Sequence, residues 1–341
     1  MIVVGGEALV DLVDDRGGRR PVAGGGPFNT AIALGRLGVP VAFFGAVSRD
    51  PYGKMLAEQL DEAGVDTSLV RPSDLPTPQA IVHHERNGRN SYTFSLRATA
   101  FTDLTPDTLP ALPERTWAIY VGTLALAVDP PAGAYEALVD REAGKRRIIL
   151  DPNVRPAIFG DATVYRERFE RLARHADVVK LSDDDAAWIY PGLPPVDVAE
   201  VILAFGPRLV AVTLGKHGAM ARSRAAAVEV PGLPVTVVDT VGAGDSFGAA
   251  LVAALLDERA LGPSPERELE KGTLARAVGY AVAASAVTCT RTGAAPPSRA
   301  EIDAQLHTVP NALTGEGHWH PTQPGLLADL DEGSYVELPP A

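Results

Sequence analysis

The sequence predicts an α/β protein, a doubly wound, mostly parallel sheet flanked by helices. Three observations carry that expectation. Short β-type runs alternate with helical stretches along most of the chain, the rhythm of β-α-β units whose ligands gather at the carboxyl ends of the strands. A small-residue turn, Asp239-Thr240-Val241-Gly242-Ala243-Gly244-Asp245, runs straight into Ala249–Leu256, a strong helix former. The size and balance are those of a globular chain: 341 residues, 46% hydrophobic and 22% charged.

Element by element, Ile2–Leu9 and Val41–Val47 read as strands with a helix over Phe28–Leu37 between them, and Tyr52–Ala63 has helical spacing. Trp117–Val121, Arg147–Leu150, Val178–Leu181 and Leu209–Leu214 read as further strands. Ala132–Ala143, Val164–Arg174 and Val196–Phe205 read as the helices between them, and Leu274–Thr290 as a long small-residue helix. An apolar, β-rich run ends at Val237-Val238. Two segments break the rhythm. Residues 8–22 pass through an Asp-Asp-Arg-Gly-Gly turn, and residues 78–100 hold two alternating strands around Asn87-Gly88. Together they suit a small β lid over a cleft, or a plain edge hairpin. The body spans 1–305. Residues 306–341 form a Pro-rich C-terminal extension in which no helix of useful length fits. His318 and His320 within it have neither a nearby Cys nor a third His to complete a metal site.

The net charge of −12 argues against nucleic acid as the main partner, so an anionic substrate needs a local positive site. Cys289 is the single cysteine, so no intrachain disulfide forms, which fits a cytoplasmic location. No apolar run reaches membrane-spanning length, and the N-terminus reads as a first strand rather than a signal peptide.

At 242–245, glycines allow close backbone approach, and the first turn of the following helix presents open N–H groups and a positive dipole end, which suits phosphate. Asp245 stands inside that anion site. Either it caps the helix, or it takes a proton from a hydroxyl attacking a phosphoryl group. The full run Asp239–Ala250 resembles the C-terminal signature of the ribokinase and phosphofructokinase-B family of sugar kinases. A second match, Gly24-Gly25-Gly26-Pro27-Phe28-Asn29 through Gly38, resembles the family's first signature, followed by Gly45–Lys54. Alone the glycines would make a structural turn; with Asp239–Asp245 in one chain they read as a sugar cradle. The Gly6–Asp11 run looks most like the fructokinase branch and neighbouring 2-keto-3-deoxygluconate kinases.

The resemblance implies a ribokinase-like fold with a β lid, and an ATP-dependent transfer to a primary hydroxyl of a small sugar. Fructose is the favoured acceptor, ahead of 2-keto-3-deoxygluconate and then ribose or a nucleoside. Asp245 would be the base, and Gly242, Ala243 and Gly244 the anion hole. Asp11, Gly25, Gly26, Asn29 and Arg155 would position the sugar, with Phe94 and Arg97 beside the lid bearing on its identity. Lys180, Ser182, Thr213, Gly215 and Gly218, with Gly244, would line the ATP. Many family members have Asn at the Ser182 position and Glu at the Asp185 position. Asp185 could then handle Mg²⁺ through water, or the run Asp183–Asp185 could simply favour a helix N-terminus. The loop 287–293 with Asp239 could hold K⁺, and exposed lid edges invite pairing of two copies into a homodimer unless the C-terminal extension covers that surface. No G-x-x-x-x-G-K-[ST] is present, and Gly5-Gly6-Glu7 makes no dinucleotide fingerprint. The rivals are a non-catalytic sugar sensor on the same fold and a hydride-transfer enzyme on a Rossmann-type sheet.

Overall fold

A computed structural model of the chain describes residues 1–15, 18–84, 90–159, 161–263 and 268–308. The Asn87-Gly88 turn and the tail from 309 onward, with His318 and His320, lie outside the described residues.

The N-terminal half runs β1 (Ile2–Gly5), β2 (Leu9–Asp15), β3 (Gly18–Gly24), α1 (Gly26–Arg36), β4 (Val41–Phe44), β5 (Ala46–Ser48), α2 (Pro51–Glu62), β6 (Arg71–Ser73), β7 (Gln79–His84) and β8 (Asn90–Ser95). It continues through β9 (Ala118–Gly122), α3 (Pro131–Glu142), β10 (Arg147–Asp151) and α4 (Ala162–Ala173). The C-terminal half runs β11 (Val178–Ser182), α5 (Asp183–Ile189), α6 (Pro195–Phe205), β12 (Leu209–Thr213), β13 (Ala219–Ser223), β14 (Ala227–Val230), α7 (Ala243–Asp257), α8 (Lys271–Cys289) and α9 (Arg299–His307).

Among the described residues eight strands form the main sheet in the order β14-β13-β12-β11-β10-β9-β1-β4. The six strands from β12 to β4 are parallel, and β13 and β14 extend the sheet antiparallel. Strands buried on both faces read as unbroken apolar runs. Side-chain alternation then splits each run between two cores. Val4, Phe43 and Tyr120 face the layer of α1, α2, α7 and α8, while Val3, Phe44 and Val121 face α3, α4, α5 and α6. The next main-sheet strand after β1 is laid on one side of it (β4) and the one after that on the other (β9), so the carboxyl ends near β1 open a crevice.

Four strands, β3-β2-β7-β8, make a separate sheet that leaves the body at Leu9 and returns at Gly24. It is antiparallel except for the β2–β7 pair. No described helix is long and apolar enough to cross a membrane.

The structure departs from the sequence reading in several places, among them Val41–Val47, which is split into β4 of the main sheet and β5, paired with β6 in a small sheet of its own. The first strand stops at Gly5, because Gly6 takes φ 155° and turns the chain toward β2. The run ending at Val237-Val238 is no strand: both valines are 59% exposed in an irregular segment. Pro231 and Pro234 explain it, since a proline cannot donate to a ladder. The hairpin β13–β14 has no counterpart in the sequence reading, its turn being Arg224-Ala225-Ala226 without Gly or Pro.

Candidate active site

The site forms where the carboxyl ends of β1, β9, β10 and β11 meet the N-termini of α1 and α7. Gly25, at φ 109°, is the residue before α1, and a Cβ there would sit 2.6 Å from the Glu7 carbonyl oxygen. Gly26 is packed as closely. A Cβ on it would collide with Thr123 Oγ1 and lie 3.0 Å from Asn153 Nδ2 and 3.4 Å from Asp245 Oδ1. The N-terminal glycine turn and the carboxylate of Asp245 are therefore in direct apposition.

Gly242 is the residue before α7, in the left-handed region at φ 76°; a Cβ on it would press on Ala294 at 2.6 Å. Ala243 N–H turns back onto the Thr240 carbonyl (3.2 Å) and Ser246 N–H onto that of Gly242 (2.9 Å). Helix geometry leaves the first-turn amides between them, those of Gly244 and Asp245, facing outward with the positive dipole end. Of the three predicted anion-hole residues, Ala243 thus has its amide engaged by the turn itself.

Asp245 does not cap its helix. It is 7% exposed, and Asn29 Nδ2 donates to its Oδ2 at 2.9 Å, with Asn153 Nδ2 3.5 Å from Oδ1. Burial raises its pKa to about 6; the Asp151 carboxylate adds to this, while the Asn29 bond, Lys180 and Arg155 pull the other way. It is poised to exchange a proton near neutrality. Asp11 is likewise raised to about 6 by burial and by Asp245, against Arg155. Its Oδ2 abuts Gly24, where any Cβ would strike it.

Behind α7 lies a buried triad. Lys180 Nζ donates to Asp151 Oδ1 and Oδ2, both at 3.1 Å, and Tyr120 Oη donates to Asp151 Oδ2 at 2.8 Å. Burial works against the Lys180 charge, but Asp151, Asp185 and Asp245 outweigh it and push its pKa up. A Cβ on Gly244 would lie 3.2 Å from Lys180 Nζ, so the ammonium backs the anion site. Gly248 leaves room for the Tyr120 hydroxyl.

Arg155 follows β10 and is half-buried; its Nη1 donates to Asn153 Oδ1 (2.7 Å), Asn153 O (3.0 Å) and Val154 O (3.1 Å). Asn153 (φ 39°) and Thr123 (φ 56°) both hold left-handed conformations unfavourable for side-chain-bearing residues, a strain typical of functional loops. Asp185 anchors this loop. Its Oδ1 accepts from Val154 N–H at 2.6 Å and its Oδ2 from Ser182 N–H at 2.8 Å, while Ser182 Oγ accepts from Asp185 N–H at 3.0 Å. Ser182 and Asp185 form a reciprocal cap on α5.

Thr213 ends β12 beside Ser182. Gly215 turns the following loop at φ 53°, and Gly218 at φ 103° is forced by the approach of Val230 O. Gly218 therefore has a packing reason of its own. Asp239 Oδ1 and Oδ2 accept from Val241 N–H (3.1 Å) and Gly293 N–H (2.8 Å), tying the approach to α7 to the loop after α8. Arg97 is exposed after β8, and no described hydrogen bond or ion pair joins it to the cluster. The sequence reading passes over Tyr120 and Thr123, and it takes Glu7, Asp151 and Asn153 only as members of runs around Asp11 and Arg155, with no role of their own. Asp151 had a signal: an acid closing one buried apolar strand, with Lys180 inside the next, needs a partner.

Comparison with known proteins gives the family and the fold. The description "pfkB family carbohydrate kinase" matches residues 2–301. A fructokinase of Rhizobium leguminosarum bv. trifolii is 40% identical over 288 residues, 79% of this chain and 88% of that protein. A crystal structure of fructokinase from Vibrio cholerae O395 with fructose, ADP and calcium ion superposes with a TM-score of 0.78 at 28% identity, covering 89% of this chain and 98% of that one. An aminoimidazole riboside kinase from Salmonella enterica, complexed with aminoimidazole riboside and an ATP analogue, gives 0.77 at 27% identity, covering 89% and 99%.

Proposed function

This chain belongs to the pfkB family of carbohydrate kinases and is an ATP-dependent phosphotransferase; from that premise we propose that it phosphorylates a primary hydroxyl of a small sugar, with fructose the preferred acceptor. The observation that carries the reading is the Asp245 carboxylate, buried at the first turn of α7 and bonded to Asn29 of the glycine turn at 2.9 Å.

Asp245 takes the proton of the attacking hydroxyl. Asp11, Asn29, Arg155 and the close-packed Gly25-Gly26 backbone orient the sugar. The amides of Gly244 and Asp245, with the α7 dipole and the Lys180 ammonium behind them, receive the charge of the transferring phosphoryl group. In such chemistry positioning and electrostatics supply most of the barrier reduction. Thr213, Gly215 and Ser182 lie along the nucleotide.

Among the described residues no three His, Cys, Asp or Glu side chains gather on one metal position. A hydrated Mg²⁺ still fits, because Mg²⁺ keeps several waters and takes phosphates with only one or two carboxylates. Asp185 would hold it through water on the lone pairs left after its oxygens accept from Val154 and Ser182 N–H, and the ion would neutralise phosphate charge. For potassium, the carbonyls of Val287, Thr288, Cys289 and Gly293 and both Asp239 oxygens accept from amides, while those of Thr290, Arg291 and Thr292 accept no described bond; the loop with Asp239 could hold the ion, and no step runs through it. The outer strands β3 and β8 of the lid sheet are the edges through which two copies would pair, a state that light scattering reads directly.

The test is ADP release with Mg-ATP across fructose, 2-keto-3-deoxygluconate, ribose and nucleosides, with and without K⁺. The expected outcome is the highest kcat/KM with fructose. Tight sugar binding by calorimetry with no sugar-dependent ADP release would overturn the catalytic reading in favour of a sensor.

A further inference from the structure

Glu7 is a buried acid that the mechanism above leaves unused. It follows β1 directly, is 1% exposed, and neither carboxyl oxygen has a hydrogen-bond partner. Its Cγ lies 3.4 Å from where a Gly25 Cβ would be, so the side chain sits beneath the glycine turn. The amides of Glu7 itself and of Gly26 face it, but neither closes a well-formed bond. The charged and titratable groups that face it are Arg155, Asp245 and Tyr135. None neutralises it. Arg155 Nη1 is occupied by Asn153 and Val154, Asp245 is itself acidic, and Tyr135 Oη donates to the Phe44 carbonyl at 2.9 Å. An ionised carboxylate without a partner in such a place is far more costly than the neutral acid.

We propose that Glu7 is a positioning residue of the acceptor site: kept as the neutral acid beneath Gly25-Gly26, it leaves the turn and Arg155 free to hold the sugar, and its ionisation disables sugar binding. The inference rests on the sugar-kinase reading for its substrate. Burial raises the Glu7 pKa to about 8, opposed only in part by Arg155 and the facing amides. Above that value the new charge draws the Gly26 amide and Arg155 toward itself and stands as a second anion near Asp245. If the neutral form alone binds sugar, KM for sugar rises by up to about tenfold per pH unit once the competent fraction falls.

The experiment compares the parent with Glu7→Gln, which copies the neutral acid in shape. Sugar KM, sugar-saturated kcat and ATP KM are measured from about pH 7 to about pH 9, across the value of about 8. The expected result is a parent sugar KM that climbs on the alkaline side, with ATP KM unmoved. In Glu7→Gln the sugar KM is flat and within about threefold of the neutral-pH parent value, as expected for an isosteric change to a neutral group. A second measurement needs no sugar. A carboxyl raised in the folded state binds its proton more tightly folded than unfolded, so the parent loses stability as pH rises from the ordinary carboxylate range to about 8. Glu7→Gln should therefore gain melting temperature relative to the parent over that window. Sugar KM curves that rise in parallel, or melting curves that keep a constant offset, would overturn the inference. If no sugar is phosphorylated at all, the functional reading fails instead, and the melting comparison still decides the protonation state of Glu7.

Discussion

The two halves of the site treat their acids in opposite ways. On the proposed nucleotide side three acids are bonded, Asp151 and Asp185 buried and Asp239 half-buried. Asp151 accepts from Tyr120 and Lys180, Asp185 from two backbone amides, and Asp239 from two more. On the acceptor side Asp245 accepts from Asn29 and distantly from Asn153, no described hydrogen bond reaches Asp11, and neither Glu7 oxygen closes a well-formed bond. All three acceptor-side acids are pushed upward by burial; burial raises Asp151 too, but there Lys180 and the Tyr120 bond oppose it directly. Bonded acids fix backbone geometry; unbonded ones hold hydrogen-bonding capacity and titrate where the protein works. The nucleotide side is thus a rigid frame, and the acceptor side keeps groups in reserve for a ligand and for a proton.

That contrast can be broken from either end. The largest effect should come from Lys180→Met, which strands the Asp151 charge in the frame. Loss of one partner of a buried pair costs about 3–5 kcal/mol, so denaturant unfolding should shift by that amount. An unchanged midpoint would mean the frame does not depend on its central pair. Next comes Gly26→Ala, whose Cβ collides with Thr123 Oγ1 and crowds Asp245. Displacement of reacting groups by this order lowers kcat/KM by about 10²-fold, read in sugar-dependent ADP release, while ATP binding by calorimetry stays near the parent value. Equal losses for both substrates would erase the distinction between the halves. The pH profile sharpens it further. Asp245 must be ionised to accept a proton, so kcat/KM should fall below about pH 6, where Asp11 titrates too. A profile flat through pH 5 would place the titrating base elsewhere. The smallest effect belongs to a pair outside both halves. Arg49 and Asp74 meet at 2.6 Å but are 60% and 88% exposed, so Asp74→Asn should move stability by no more than about 0.5 kcal/mol.

Much of this was legible before the fold was known. Core strands such as Val178–Ser182 and Leu209–Thr213 show as short apolar runs because parallel strands are buried on both faces. The starts of α1 and α7 show through their glycines, which close packing at Gly26 and positive φ at Gly242 demand. What stayed hidden depends on contacts across the sheet. Tyr120, Asp151 and Lys180 are 31 and 29 residues apart in sequence and meet only because β9, β10 and β11 are neighbours. Thr123 and Asn153 matter through backbone angles that no local pattern announces. Glu7 looked like an ordinary residue of a strand end, and only its complete burial without a partner sets it apart. Asp185 illustrates the intermediate case. Its place at a helix start was readable, but its tether to Val154 was not.

The central claim is that one carboxylate, held by Asn29 at the mouth of α7, accepts the sugar's proton. Asp245→Asn tests it in a single pairing of sugar-dependent ADP release with calorimetric sugar and ATP binding. Because the raised carboxyl pKa penalises the folded state at neutral pH, the variant should melt at or above the parent temperature. It should bind both ligands and turn over roughly 10²–10⁴-fold more slowly. A folded, ligand-binding variant with turnover within about tenfold of the parent, below that range, would contradict the account.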